Sequence, residues 1–118
     1  MPRPTYHSLW HRLVANTYEP HNEQSCWWWA RKLDTSGYGR VNVYVPGMGD
    51  TVILMAHIVA WLIAEFGFTS ADDLFLAYLE HSASGMELDH LCRSRCCIRP
   101  DHLEHVSGSV NSQRRSVK

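Results

Sequence analysis

Three residues within one short segment have the types and spacing that hold a transition metal. Cys92, Cys97 and His102 stand at C-x4-C-x4-H. Thiolate sulfur and imidazole nitrogen are the ligands of structural zinc, which takes four of them in a tetrahedron. Cys26 and Cys96 are the remaining cysteines. Cys96 adjoins Cys97, and neighbouring residues rarely ligate one ion without backbone strain, so Cys26 is the better fourth ligand. Cys96 in place of Cys97 stays open. His90 lies two residues before Cys92 and is itself a candidate zinc ligand. Together with Asn111, nine residues after His102, it suits a different task. A neutral imidazole can take a proton from water, and an amide oxygen can help hold a hard cation such as Mg2+ beside a phosphate.

Those side chains need elements to aim them. Met86 to His90 suits a strand, Leu103 to Val106 another, and Ser109 to Arg115 a helix capped from Ser107 or Ser109. The order strand, metal loop, strand, helix turns the end of the first strand toward the last helix. His90 and Asn111 are then expected in one cleft. Upstream, Cys26 to Arg31 reads as a strand on its aromatics, and Tyr38 to Val45 as a second, with Thr51 to Leu54 as a third. Ala56 to Phe66 is apolar nearly all round, a buried helix ending at Gly67, with His57 expected as a core residue. Ser70 to Asp73 starts a further helix that runs to about His81. The fold class expected is α+β: a small zinc-stapled ββα-metal core, an amino-terminal β-hairpin and two added helices. Residues 1–118 read as a single domain. It divides into a 1–25 extension, a 26–66 hairpin and helix, a 68–84 insertion and the 86–115 ββα unit.

The composition supports a folded chain that binds polyanions through one end only. Five tryptophans and 45% hydrophobic residues in 118 argue against disorder. The net charge of -1 hides a division. Residues 65–89 carry six acids and no Lys or Arg, whereas residues 90–118 carry six bases against Asp101 and Glu104, a local +4. The basic end coincides with the Cys/His segment, which favours phosphate binding. The first residues lack the apolar run of a secretory signal, and no apolar run is long enough to span a bilayer. An intracellular, cytoplasmic protein is expected, with its four cysteines bound to metal rather than paired as disulfides.

At this point the residues match a known pattern. The chain resembles HNH-type nucleases of the His-Me finger (ββα-metal) group, and is most similar to those related to His-Cys box homing endonucleases. The resemblance rests on the CW at Cys26, GYGR at 37–40, AH at 56–57, DHLC at 89–92, C-x-x-P-D-H-L at 97–103, and Asn111 followed by Arg114. It covers roughly residues 26–118. The resemblance implies His90 as general base, Asn111 as the Mg2+ ligand, and Cys26, Cys92, Cys97 and His102 as the structural zinc site. It also implies that Arg40 approaches the scissile phosphate and that the substrate is DNA. The chain departs from the pattern in Ile58 where Arg is usual, Arg99 where Asn is common, the extra Cys96, and the 68–84 insertion.

The mechanism implied is in-line attack on phosphorus by water that neutral His90 deprotonates. Mg2+, with Mn2+ as a substitute, would rest on Asn111, and a backbone carbonyl or Asp89 would orient the imidazole. Arg40, Arg114 and Arg115 are the expected nucleic-acid contacts, with Lys118 beyond them. The competing function is a zinc-stabilised DNA-binding module without catalysis, which has no need of His90 and Asn111 together. One site per chain cuts one strand, so double-strand cleavage would call for a homodimer or two encounters.

Overall fold

The computed structural model describes residues 7–19, 21–68 and 70–116. The elements run α1 (His7–Ala15), β1 (Arg40–Val45), β2 (Asp50–Met55), α2 (Ala56–Phe66), α3 (Ala71–Ala83), β3 (Met86–His90), β4 (Leu103–Ser107) and α4 (Gly108–Ser116). A single 3-10 turn, Pro100–His102, precedes β4. The architecture is α+β, with two separate two-stranded antiparallel sheets, β1–β2 and β3–β4.

The β1–β2 hairpin follows from side-chain alternation. Val41, Val43 and Val45 point into the core while Asn42 and Tyr44 face water. β2 runs directly into α2, whose buried residues Ala56, Val59, Ala60 and Ile63 recur at helical spacing and pack on Leu9, Leu13, Leu54 and Leu74. Gly67 ends this helix in the left-handed conformation, φ 62°, and its N–H donates to the Ile63 carbonyl. Ser70 caps α3 by accepting from the Asp73 N–H. Ser107, not Ser109, caps α4, its Oγ accepting from the Val110 N–H.

The expected strand at Cys26–Arg31 does not form. The segment is extended, but its two edges meet different irregular partners. Trp28 bridges Cys97 on one side and Trp29 bridges Thr17 on the other. With one bridge to each neighbour there is no ladder to extend, and the segment serves as a tie between the α1 end and the metal loop. Gly39, inside GYGR, is required at this junction because a Cβ there would lie 2.6 Å from the Trp29 ring.

The β3–β4 ribbon is covered on both faces. The register pairs Leu88 with His105 and His90 with Leu103, one face; it pairs Glu87 with Val106 and Asp89 with Glu104, the other. Trp61 of α2 stacks on His105 and His57 of α2 meets His90, so the first face lies against α2. Asn111 and Arg114 of α4 reach Glu87, Asp89 and Glu104, so the second face lies against α4.

Candidate metal centre and adjoining histidine cluster

Four side chains converge from three places in the chain. Cys26 comes from the tie segment, Cys92 and Cys97 from the loop after β3, and His102 from the 3-10 turn. Their ligand atoms all lie within 4.8 Å of one another. The Cys26 and Cys97 sulfurs are each 3.6 Å from His102 Nδ1. Cys96 stands outside this group, its sulfur 3.6 Å from the Ser94 hydroxyl, so Cys97 is the member of the adjacent pair that joins the cluster. Burial, followed by the neighbouring thiols of Cys92 and Cys97, pushes the Cys26 thiol up to about 12. Burial also pushes the Cys97 thiol up. Such crowded sulfurs cannot all ionise unless a cation lies among them, and a closed Cys3His set is a structural zinc chelate.

The loop that presents these ligands is shaped locally. Arg93 adopts a left-handed φ of 62°, and its N–H bonds the His90 carbonyl at 3.0 Å. Pro100 opens the 3-10 turn that carries His102. Arg99, a departure from the family pattern, has a role that sequence reasoning missed. Its guanidinium donates to the carbonyls of Asn22, Ser25 and Glu23 at 2.7, 2.9 and 2.7 Å. It thereby latches the residues just before Cys26 to the loop holding the other ligands. Arg99 also lies over the Trp27 ring, 5.6 Å from its centroid.

His90 is buried beside this centre, at the end of β3. Its Nε2 lies 3.1 Å from the Cys97 carbonyl. A carbonyl only accepts, so Nε2 carries the proton and Nδ1 the lone pair. Of the two orienting groups that the sequence left open, the backbone carbonyl holds the ring. Asp89 instead pairs with Arg93 at 3.1 Å and Arg114 at 2.9 Å. Burial lowers the proton affinity of His90, opposed by the Cys97 carbonyl and Asp89 and aided by Arg95.

Asn111 is buried and donates its amide NH2 to Glu87 at 2.6 Å, which leaves Oδ1 as an oxygen donor. His90 and Asn111 meet the β3 end from different sides. Side chains alternate along β3, so His90 faces α2 while Glu87 and Asp89 face α4 and Asn111. His90 and Asn111 therefore reach β3 from opposite faces. The group that joins them is Asp89, next to His90 in the chain and on Asn111's side of the ribbon. Asp89, Glu87 and the Asn111 oxygen are hard donors of the kind Mg2+ takes.

His57, expected in the core, lies in the same histidine cluster. Its ring centroid is 4.7 Å from that of His90, and Tyr38 stacks on it at 5.3 Å. Among the described residues its buried Nδ1 has no hydrogen-bond partner. Burial, then the charge of His90, pushes His57 down to about 3, so it is neutral. Arg95 lies over the Tyr38 ring, 5.6 Å from its centroid. The AH at 56–57 was the only sequence signal for this cluster, and the strongly apolar helix around it masked that signal.

Arg40 is half-exposed at the start of β1 and pairs with Asp34 at 3.1 Å. Asp34 also acts electrostatically on His57, so the Arg40–Asp34 pair borders the histidine cluster. Arg114 is engaged by Asp89 and Glu104. The Arg115 side chain and Lys118 lie outside the described residues.

A β-ribbon and helix stapled beside a Cys3His cluster is a zinc-stapled ββα domain. The chain belongs to the family described as the zinc-binding loop region of homing endonuclease, whose model matches residues 25–118. No curated protein and no solved structure is significantly similar to it. Among the described residues, no helix is long and apolar enough to cross a membrane.

Proposed function

We propose that this protein is a Mg2+-dependent endonuclease that hydrolyses DNA phosphodiesters with His90 as general base. The observation that carries the reading is the Nε2 bond from His90 to the Cys97 carbonyl. It fixes the tautomer whose Nδ1 is basic, and burial keeps that nitrogen unprotonated near neutral pH. Cys97 is also a metal ligand, so the zinc staple and the orientation of the base share one residue. Zinc bound to Cys26, Cys92, Cys97 and His102 would hold the loop that supplies this carbonyl.

His90 Nδ1 accepts a proton from water, and the resulting hydroxide attacks phosphorus in line with the leaving oxygen. Arg40, paired with Asp34, and Arg95, over the Tyr38 ring, would balance charge on the phosphate. Neutral His57 limits the room of the His90 ring on its α2 side. Mg2+ on the Asn111 oxygen, with Asp89 beside it, would supply Lewis-acid stabilisation of the leaving oxygen. Arg114 and Arg115 are the proposed contacts to flanking phosphates, and reduced thiols fit an intracellular setting.

The matched family model is described as a zinc-binding loop region, which supports a second reading as a DNA-binding module without catalysis. Incubation with supercoiled plasmid separates the two. The nuclease reading expects nicked circles in Mg2+ and none in EDTA, whereas a module would shift the plasmid in gels and leave it closed. Linear product that appears with the square of protein concentration would indicate cleavage by a homodimer.

A further inference from the structure

A groove of about 600 Å3 runs between α2 and α3, away from the chemistry described above. Trp61 and Phe66 form one wall, Leu76 and Ala77 the other, and His105 closes one end by stacking on Trp61 at 4.9 Å. Phe66 is 61% exposed and Leu76 59%, so this is apolar surface left in water. α3 contributes Ala71 and Leu74 to the core with Ala77 packed at its edge, and Leu76 stands clear of that packing.

Charge defines what fits. Asp73 and Glu80 also line the groove, seven residues apart on α3 with Leu76 and Ala77 between them. The four share one stripe of the helix, with the carboxylates about 10 Å apart along its axis. The neighbouring Asp72 accepts from the Gly47 N–H at 2.7 Å and belongs to the fold. Asp73 uses only its backbone N–H, in the Ser70 cap. Among the described residues neither the Asp73 nor the Glu80 carboxylate forms an ion pair. Of the six acids in residues 65–89, which hold no Lys or Arg, Asp73 and Glu80 line the groove, while Asp72 serves the fold and Glu87 and Asp89 face α4. A surface of this sign repels nucleic acid. It also disfavours a two-fold contact with a second copy, which would set these acids against themselves.

We propose that the groove docks a cationic amphipathic helix of a partner protein. Two adjacent apolar residues of that helix enter between Trp61 and Leu76. Lys or Arg residues seven positions apart flank them and meet Asp73 and Glu80, a helix-in-groove mode with charged ends.

The test uses the whole protein and a synthetic 18-residue helical peptide carrying adjacent Leu and Phe between two arginines seven residues apart. A control peptide has Glu for both arginines. Calorimetry should show saturable binding of the arginine peptide alone, with amide resonance shifts at Leu76, Ala77 and His105. Asp73→Asn with Glu80→Gln should weaken binding about three- to tenfold, as two exposed ion pairs are worth. Ala77→Arg should abolish it by filling the groove. The proposal fails if the arginine peptide does not bind, if the glutamate peptide binds equally, or if the double variant keeps full affinity. Dimerisation of the protein that Ala77→Arg abolishes would also overturn it, by assigning the groove to a second copy.

Discussion

Replacing Arg99 with leucine should loosen the metal centre without touching a ligand. The guanidinium makes three hydrogen bonds, at 2.7 to 2.9 Å, to carbonyls of residues 22–25, immediately before Cys26. Its side chain is only 12% exposed, so these bonds are weakly screened. Its other partner, Asp101, is 67% exposed and adds little. A hydrogen bond to a charged group contributes about 1.5–3 kcal/mol, and part of that is recovered by water at the opened segment. A net loss of roughly 1.4–2.8 kcal/mol in the closed site converts to about 10- to 100-fold in zinc affinity. That range is also typical of residues that hold ligands in place. Competition with a chromophoric chelator reads this affinity directly, and the rate of zinc transfer reports how freely the Cys26 segment opens. Arg99→Lys, which keeps the charge but not the planar fork, should fall between the two. An Arg99→Leu protein that holds zinc within twofold of the original would refute the latch.

Two other outcomes follow from the histidine cluster. His57 is neutral in the fold, with its folded value depressed to about 3, so the unfolded chain takes up the proton first as acid is added. Its contribution is intact above about pH 6.5 and is lost as pH falls toward the folded value, by roughly 2 kcal/mol between pH 6.5 and 5. Urea unfolding of His57→Phe at pH 7 and pH 5 should show a smaller loss than the parent, and an identical loss in both would contradict the buried neutral ring. In the nicking assay, burial of His90 should place the acid limb of the rate below the ordinary histidine value of about 6.5. A limb centred above pH 7 would count against an unprotonated, buried base.

Local signals were strong where local chemistry decides structure. The α2 stop at Gly67, the Ser70 cap and the valine alternation of β1 each depend on a few adjacent residues, and all were legible. The Cys3His set was legible because ligand types and spacing leave few alternatives. Convergence in space, which spacing alone cannot supply, brings Cys97 rather than Cys96 into the cluster. The Cys26–Arg31 segment misled because aromatic content signals an extended chain but not whether a partner strand exists. Which face of the β3–β4 ribbon His90 and Asn111 each meet depends on the packing of α2 and α4, which local sequence does not carry. Asp89 illustrates the same point. It could be listed as an orienting group for His90, yet strand alternation turns its carboxylate to α4. The Arg99 latch spans more than seventy residues of chain, and nothing in either segment alone announces it.

In the proposed nuclease, a metal-stapled loop aims the unprotonated His90 imidazole at a DNA phosphodiester. The most direct test measures plasmid nicking and bound zinc together in one preparation of His90→Ala. One zinc per chain is expected, as in the parent, with the nicking rate down by roughly 10²–10⁴-fold, the usual share of a general base. Nicking that survives the substitution, or zinc lost along with it, would contradict the account: the first would free His90 of catalysis, and the second would make it a ligand.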